Sequence, residues 1–144
     1  MIKTMKKLLK EKDICVLATA FGGTPHCSLM AYVTDDECRE IYMVTSRNSR
    51  KYKNLSGNPS VSLLVDTREE HTGSNRPEAK AMTITGTYQR VEDPQKELRI
   101  REKLLIRHPH LKQFFDAPAG EIIRIRIASF LLLNGLTEAH FEEL

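Results

Sequence analysis

The stretch that decides the fold is residues 14–45, which read ICVLATAFGGTPHCSLMAYVTDDECREIYMVT. It contains three apolar segments, each long enough for a strand, separated by two turns. The segments are 14–20, 26–34 and 40–45, and the turns are 21–25 and 35–37. Paired glycines followed by a proline are typical of a turn, and connections this short favour antiparallel pairing. We therefore predict a meander of three antiparallel strands.

Three further strands are predicted after this stretch. Polar and apolar residues alternate in 60–66 and 79–91, which is the pattern of a half-buried strand. Residues 122–133 form a longer segment of the same kind, with a bend predicted near Ala128 and Ser129. Together the six segments predict a mainly β fold with flanking helices, a six-stranded antiparallel barrel whose closure protects the sheet edges. A parallel α/β sheet is excluded, because most of these connections are too short for a crossover helix.

Helices are predicted in the gaps between the strands. They are 2–12, a short helix capped by Asn48 or Ser49 and ended by Gly57, 94–107 capped by Asp93, and a helical turn at 111–115. The polar segment 69–77 is predicted to be a mobile loop. With 144 residues, no repeat and no low-complexity tract, the whole chain 1–144 is expected to form a single domain.

Composition excludes several classes of function. The chain has 22 Lys and Arg against 19 Asp and Glu, a net charge of +3, and no Trp, so we expect no nucleic-acid partner. No apolar run approaches the ~20 residues of a membrane span, and we expect no membrane partner. Three cysteines without a CxxC pair and five histidines without ligand spacing predict no disulfide framework and no metal site. These features favour the reducing cytoplasm.

Side chains suited to phosphate chemistry are concentrated in residues 42–59, which read YMVTSRNSRKYKNLSGNP. Thr45 and Ser46 lie where a strand ends, and Ser49, Arg50 and Lys51 open the short helix. A helix start offers free N–H groups and partial positive charge, to which these side chains add donors and cations. The pattern predicts a phosphate site other than a P-loop, since GxxxxGK[ST] is absent. Ordinary capping beside a solvated turn explains the same residues, and both interpretations stay open.

Four segments, in order along nearly the whole chain, carry a resemblance to a known family. Residues 49–64 read SRKYKNLSGNPSVSLL, with Ser-Arg-Lys followed by an aliphatic residue, Asn-Pro and a valine-rich strand. The other segments are 24–36 (TPHCSLMAYVTDD), 81–93 (AMTITGTYQRVED) and 121–135 (EIIRIRIASFLLLNG). In this order they resemble the pyridoxamine 5′-phosphate oxidase-like flavin-binding split-barrel family. Each motif alone has low specificity, and the ordered set is what carries the resemblance.

The resemblance implies a split barrel that forms a homodimer with two FMN molecules at the subunit interface. By position, Thr45, Arg50 and Lys51 would hold the FMN phosphate, assisted by Ser46 and Ser49. The strand 26–31 would line the flavin ring and bond its edge through backbone groups. The candidate cofactor-binding residues are His26, Cys27, Ser28, Leu29, Met30, Ala31, Val44, Thr45, Ser46, Ser49, Arg50 and Lys51. No catalytic residue is assigned.

The chain departs from the oxidase itself where that enzyme binds its substrate. The family resemblance implies a basic residue at each end of the ring-lining strand, and this chain has His26 and Ala31 there. It implies a flavin-contacting Gln where this chain has Ala81, and a Trp near Leu133. A basic clamp for the vitamin phosphate should follow, but the chain ends in LTEAHFEEL at 136–144. Oxidation of vitamin B6 phosphate is therefore not expected.

Three functions fit this interpretation. The preferred one is an FMN-dependent oxidoreductase, in which the flavin takes hydride from a nicotinamide donor and reduces a small acceptor. The second is a non-catalytic FMN-binding protein, such as a redox sensor or a stress-related binder. The third is a relative that uses haem or a deazaflavin of the F420 type.

Other polar residues have weaker functional interpretations. His26 and Cys27 are adjacent in a strand and point to opposite faces, so a Cys–His nucleophile pair is disfavoured. The charged run 66–70 is interpreted as a solvated strand end. Arg124 and Arg126 share one strand face and are either solvent-facing or contacts from a second subunit to FMN. His71 is interpreted as a loop residue without a functional role. The alternative is that it gates access to the cleft.

Overall fold

The chain folds into a curled antiparallel sheet with helices on its flanks, in a computed structural model that describes residues 1–144. The strands are β1 (Ile14–Phe21), β2 (Thr24–Ala31), β3 (Val33–Thr34), β4 (Glu40–Ser46), β5 (Ser60–Asp66), β6 (Lys80–Gln89), β7 (Gly120–Asn134) and β8 (Glu138–Glu143). The helices are α1 (Ile2–Glu11), α2 (Arg50–Gly57), α3 (Pro94–Arg107) and α4 (Lys112–Asp116), with short 3-10 helices at Gly73–Glu78 and Pro109–Leu111.

The order of strands in the sheet is β2-β1-β5-β6-β7-β4-β3, and β8 pairs with the C-terminal half of β7. Every strand pair is antiparallel. The sheet curls into a half-barrel, so the predicted mainly β, antiparallel split barrel is confirmed. The predicted number of strands is wrong, because the sheet has eight strands and not six.

The predicted second strand, 26–34, is broken at Tyr32. The Tyr32 N–H donates to the carbonyl of Asp13 at 2.9 Å, and its hydroxyl donates to the carbonyl of Leu9 at 2.6 Å. These bonds draw Tyr32 into the core, so β2 pairs with β1 while β3 pairs with β4. Both antiparallel pairings of the predicted meander are therefore present, but its middle strand is divided, and the two pairs lie at opposite ends of the strand order. The longer pairing of β4 is with β7.

The hairpin between β1 and β2 turns through Gly22 and Gly23, whose φ angles are 61° and 80°. Two-residue turns with positive φ at both positions match the twist of the strands they join. β2 begins earlier than predicted, at Thr24, because the turn needs only the two glycines. Pro25 is tolerated there since β2 is the edge strand of the sheet.

A bulge at Ala128 bends β7. The ladder with β6 steps from Ser129 to Ile127, which leaves Ala128 without a partner. The extra residue shifts the alternation by one, so Ile127 before it and Phe130 after it both point into the core. The bend predicted at this position is confirmed, and the bulge is its cause.

The core lies inside the half-barrel and is closed by α1. Met5, Leu8 and Leu9 of α1 belong to one cluster with buried side chains from β1, β4, β5, β6 and β7. Burying each side chain of this size contributes about 1.5–3 kcal/mol. A second, smaller cluster lies under α3, where Ile100 and Leu104 pack with residues of β3, β4 and β7.

The helices agree with prediction apart from their ends. The α1 helix stops at Glu11, and α3 covers 94–107 with Asp93 accepting the N–H of Gln95 at 3.0 Å. The turn predicted at 111–115 is α4 preceded by a 3-10 helix. None of the helices combines the length and the apolar character that a membrane span requires.

The polar segment 69–77 is anchored at its start by Thr67, which is 4% exposed. Thr67 Oγ1 accepts the N–H of Lys80 at 2.8 Å and bonds His71 Nδ1 at 2.7 Å. The later part of the segment forms the 3-10 helix at Gly73–Glu78. The mobility of this segment stays a prediction, while His71 has a defined partner at its base.

Candidate functional site

The residues predicted to bind phosphate lie at the junction of β4 and α2. Thr45 is buried near the end of β4, and Ser49 is the N-cap residue of α2. Ser49 Oγ accepts the N–H of Tyr52 at 3.3 Å, which is a helix-capping bond. Of the two residues predicted to cap this helix, Ser49 is confirmed and Asn48 is not.

Two of the three hydroxyls at this junction donate within the chain. Thr45 donates to Ser49 Oγ at 3.2 Å, and Ser49 donates to the carbonyl oxygen of Ser46 at 2.8 Å. Ser46 Oγ accepts the N–H of Asn48 at 3.1 Å, which leaves its own hydrogen uncommitted. Bonds within the turn before α2 therefore account for the hydroxyl hydrogens of Thr45 and Ser49, and Ser46 is the hydroxyl that is free to donate to a ligand.

The two basic residues that open α2 have no counter-ion in the chain. Arg50 is exposed and Lys51 is half-buried, and no carboxylate lies within 4.0 Å of either. Burial lowers the pKa of the Lys51 ammonium, because the charged form loses hydration there. Neighbouring Arg47, in contrast, pairs with Glu121 at 3.0 Å. An anion beside α2 would give both cations the partner that they lack.

A cavity of about 260 Å³ lies between the β1–β2 hairpin and α2. It is lined by His26 of β2 and Arg50 of α2, so the fold brings together two predicted residues that are distant along the chain. Its other lining residues are Phe21, Thr24, Pro25 and Asn54. The cavity therefore connects the predicted phosphate end of the site with the predicted ring end.

Asn54 lines the cavity but was not predicted from the sequence to be a site residue. Its Nδ2 donates to Thr19 Oγ1 of β1 at 3.1 Å, a bond that attaches α2 to the hairpin. Asn54 follows Arg50 by four positions, so both lie on one face of the helix. That spacing was the available signal, but only the fold shows what this face of the helix meets.

The predicted ring-binding strand is an open edge of the sheet. β2 pairs only with β1, so the backbone groups along its other side have no strand partner. Its side chains alternate, with His26, Ser28 and Met30 on one face and Cys27 and Leu29 on the other. Ala31 ends the strand. These residues therefore offer backbone donors and acceptors along a free edge.

Val44 is the predicted site residue that stands apart from the others. Its side chain is 3% exposed and belongs to the core cluster under α3. A ligand could therefore reach only its main-chain atoms.

A row of mostly apolar side chains, which we term the outer row, crosses the convex face of the sheet. Cross-strand pairing aligns Leu29, Val16, Leu64, Thr83, Leu131 and Phe141 on six strands. Leu29 is 74% exposed and Phe141 is 58% exposed. The next row along the same face is small, comprising Cys27, Ala18, Ser62, Thr85 and Ser129. Exposed apolar patches of this extent mark interaction surfaces.

Arg124, whose role the sequence left open, makes its contacts with other groups of the chain. Its Nη1 lies 3.7 Å from Glu40 Oε2, and its Nη2 donates to the carbonyl of Arg90 at 3.0 Å. Arg126 on the same strand face is exposed, and its role stays open.

Glu40 is the buried centre of a group of polar side chains, the Glu40 cluster, formed with Tyr42, Lys96 and Arg124. Glu40 Oε1 accepts from Lys96 Nζ at 2.8 Å and from the Tyr42 hydroxyl at 2.7 Å. Burial alone would raise the pKa of Glu40, but the hydrogen bonds from Lys96 and Tyr42 outweigh it and hold the pKa below 4.5. No three His, Cys, Asp or Glu side chains are grouped to hold a metal ion.

Comparison with known proteins identifies relatives by sequence. A family model described as pyridoxamine 5′-phosphate oxidase matches residues 1–134. A Schizosaccharomyces pombe protein described as a pyridoxamine 5′-phosphate oxidase homolog is 33% identical over 88 residues. That alignment covers 54% of this chain and 45% of the yeast protein, so the match spans about half the length of this curated relative.

Solved structures share the fold. A haem-binding protein from Mycobacterium smegmatis superposes with a TM-score of 0.80 at 17% identity, covering 94% of this chain and 57% of that chain. A FAD-binding protein from Mesorhizobium loti superposes with a TM-score of 0.74 at 20% identity, covering 92% of this chain and 93% of that chain. At these identities the likeness establishes the fold alone.

Proposed function

The chain belongs to the pyridoxamine 5′-phosphate oxidase family, and on this premise we propose that it binds FMN and acts as a flavin oxidoreductase on a small substrate. The observation that carries the proposal is the pair Arg50 and Lys51, two cations without a counter-ion at the start of α2. Arg50 lines a cavity that also reaches the edge strand β2, and Lys51 is the next residue of the helix. A flavin with a terminal phosphate would use both features.

The phosphate end of the proposed site is built from charge and free donors. A phosphate monoester carries a charge of about −1.5 to −2 at pH 7. Arg50 would offer a fork of N–H donors and Lys51 a point charge, while Ser46 would add its uncommitted hydroxyl. Thr45 and Ser49 would act indirectly, because their hydroxyls hold the turn that presents these groups.

The ring end of the proposed site is the strand His26–Ala31. Its free backbone edge would bond the polar rim of the flavin, and its side chains would pack on the ring. Bound FMN would supply hydride and electron transfer, and the chain would supply position and electrostatics. The fold likeness to a FAD-binding protein supports a flavin in this fold.

We propose a substrate other than vitamin B6 phosphate. The C-terminal segment, where the family resemblance implies a basic phosphate clamp, forms β8 against β7. β8 carries Glu138, Glu142 and Glu143. These carboxylates could not replace a basic phosphate clamp, because they would repel a phosphorylated substrate.

A homodimer with FMN at the subunit interface is part of the proposal. The outer row presents apolar side chains from five strands on the outside of the sheet, and a second copy of the chain would bury them. The cavity beside Arg50 is small for a whole flavin, so a second subunit would complete the site. We expect light scattering to give a dimer mass, and Leu131→Glu to give a monomer with weakened FMN binding. Tight FMN binding by a monomer would exclude the interface site.

The reducing cytoplasm is the proposed location, because the three cysteines are free thiols and two of them are buried.

The proposal is tested by the absorption spectrum and by titration. We expect flavin bands in the purified protein, and FMN should bind more tightly than riboflavin. A haem Soret band would instead favour haem use, which the likeness to the M. smegmatis protein makes the specific alternative. Equal affinity for FMN and riboflavin would overturn the phosphate site. Oxidation of a nicotinamide donor by the FMN-loaded protein separates an oxidoreductase from a non-catalytic FMN binder.

A further inference from the structure

Asn54 connects the two ends of the proposed site. It lies one turn after Arg50 in α2, and both residues line the cavity beside the hairpin. Its Nδ2 donates to Thr19 Oγ1 at 3.1 Å. Thr19 belongs to β1, is 2% exposed, and is the cross-strand partner of His26. The bond therefore joins the helix that carries the cations to the strand pair that carries the ring-binding edge.

A second contact restrains the far end of α2. Gly57, its last residue, lies against the ring of Phe21 at the tip of β1, and a Cβ at this position would collide with that ring. This contact excludes closer approach but gives no direction. The Asn54–Thr19 bond is the directional contact, and it lies between the Phe21 contact and Arg50.

We propose that the Asn54–Thr19 hydrogen bond is a spacing device that selects for a ligand with a terminal phosphate and a flat ring at a fixed separation. The inference rests on the proposed function and assigns it two positioning residues. Thr19 is too enclosed to touch a ligand, so its effect on binding passes through the position of α2.

The expected preference for FMN over riboflavin follows from how many of the two elements, α2 and β2, each ligand contacts. FMN would contact α2 through its phosphate and β2 through its ring, so it gains from having the two elements held at the correct distance. Riboflavin lacks the phosphate and would use β2 alone. Loosening α2 should therefore weaken FMN binding and leave riboflavin binding nearly unchanged.

The test is titration of FMN and of riboflavin into apo protein carrying Thr19→Val, Thr19→Ser or Asn54→Ala. Thr19→Val keeps the shape and removes the hydroxyl, and we expect FMN affinity to fall about two- to tenfold, as for loss of one hydrogen bond. Riboflavin affinity should change less than about twofold, and Thr19→Ser should retain wild-type behaviour. The double variant Thr19→Val with Asn54→Ala should be no weaker than the weaker single variant, because both remove one bond.

The outcomes separate the spacing device from the proposed function. If wild-type protein does not prefer FMN to riboflavin, the proposed function fails and the spacing device with it. If wild type prefers FMN and Thr19→Val keeps the same preference, the spacing device alone is wrong. Equal losses for FMN and riboflavin in Thr19→Val would assign the bond to general stability. If Thr19→Val does not fold, Asn54→Ala is decisive, and an unchanged preference there overturns the inference.

Discussion

The Glu40 cluster and the start of α2 each contain one Lys and one Arg, but only those of the cluster have a carboxylate counter-ion in the chain. In the cluster, Lys96 and Arg124 converge on one buried carboxylate inside the chain. At the start of α2, which Ser49 caps, Arg50 and Lys51 have no carboxylate within 4.0 Å. Cations with an internal counter-ion stabilise the fold, and cations without one are available to a ligand. The predictions below test that distinction.

The largest effect should come from removing the carboxylate of the Glu40 cluster. Glu40→Gln leaves Lys96 and Arg124 without their counter-ion inside the protein. Breaking a buried pair costs about 3–5 kcal/mol, and we expect about 3 kcal/mol because Lys96 is partly exposed. Urea unfolding of the variant and the wild type measures the loss.

The matched control for this variant is Glu37→Gln. The ion pair of Glu37 with Arg39 is exposed on both sides, so its loss should cost less than about 1 kcal/mol. Glu40→Gln should also leave the FMN-to-riboflavin affinity ratio unchanged. A comparable small loss in both variants, or a changed ratio in Glu40→Gln, would remove the distinction between the two regions.

Arg50→Ala should affect binding and spare stability. A charge-assisted hydrogen bond is worth about 1.5–3 kcal/mol, so FMN binding should weaken roughly 10- to 100-fold. Lys53→Ala, the control one turn further along α2, should cost less than about threefold because its charge is exposed. Calorimetric titration of the two apo variants measures both. Equal losses would indicate a diffuse basic surface instead of a phosphate site.

Acid should remove the contribution of the Glu40 cluster. The pKa of Glu40 is lower in the folded protein than its ordinary 4.5, so its stabilisation is complete above 4.5 and disappears as the pH falls through the folded value. The difference in unfolding free energy between wild type and Glu40→Gln should be level from pH 7 to about 5 and shrink below about 4. Urea unfolding across this range measures it, and a difference still undiminished at pH 3 would contradict the assignment.

The smallest expected effect concerns Lys51. Burial lowers the pKa of its ammonium, and a bound phosphate would raise it again. FMN affinity relative to riboflavin should therefore fall as the pH rises through the lowered pKa, which lies below the ordinary 10.5. Lys51→Arg keeps its charge as the pH rises and should flatten the profile. A parallel fall in Lys51→Arg would assign the pH dependence to another group.

Much of the fold was predictable because alternation along a strand reports burial directly. Residues 60–66 and 122–133 bury one face and expose the other, and both were identified from that pattern. The break at Tyr32 was hidden, because the apolar pattern continues through it and only bonds to Asp13 and Leu9 interrupt the strand. β8 was missed because its sequence, EAHFEE, is polar and is held by pairing with β7 rather than by burial.

The basic residues of the candidate site could be predicted from the sequence, but the hydrogen bonds made by its hydroxyl groups could not. Arg50 and Lys51 were identified from their position at a helix start, and the structure leaves both without a counter-ion. The sequence could not show that Thr45 and Ser49 donate to neighbouring oxygens, since that depends on the turn geometry. The contact of Asn54 with Thr19 joins residues 35 positions apart, and such pairs are set by topology.

Ala128 is skipped by the ladder between β6 and β7. Gly86 pairs with Ile127 and Thr85 pairs with Ser129, so β7 holds one residue more than β6 between these two pairs. If Ala128 instead took the place opposite Thr85, each later side chain of β7 would change faces, with Phe130 and Leu132 turned to solvent and Leu131 and Leu133 turned inward. An in-frame loss of the Ala128 codon would therefore close the bulge and leave every later residue on its present face, which makes this the position where β7 can lose a residue and keep its core side chains.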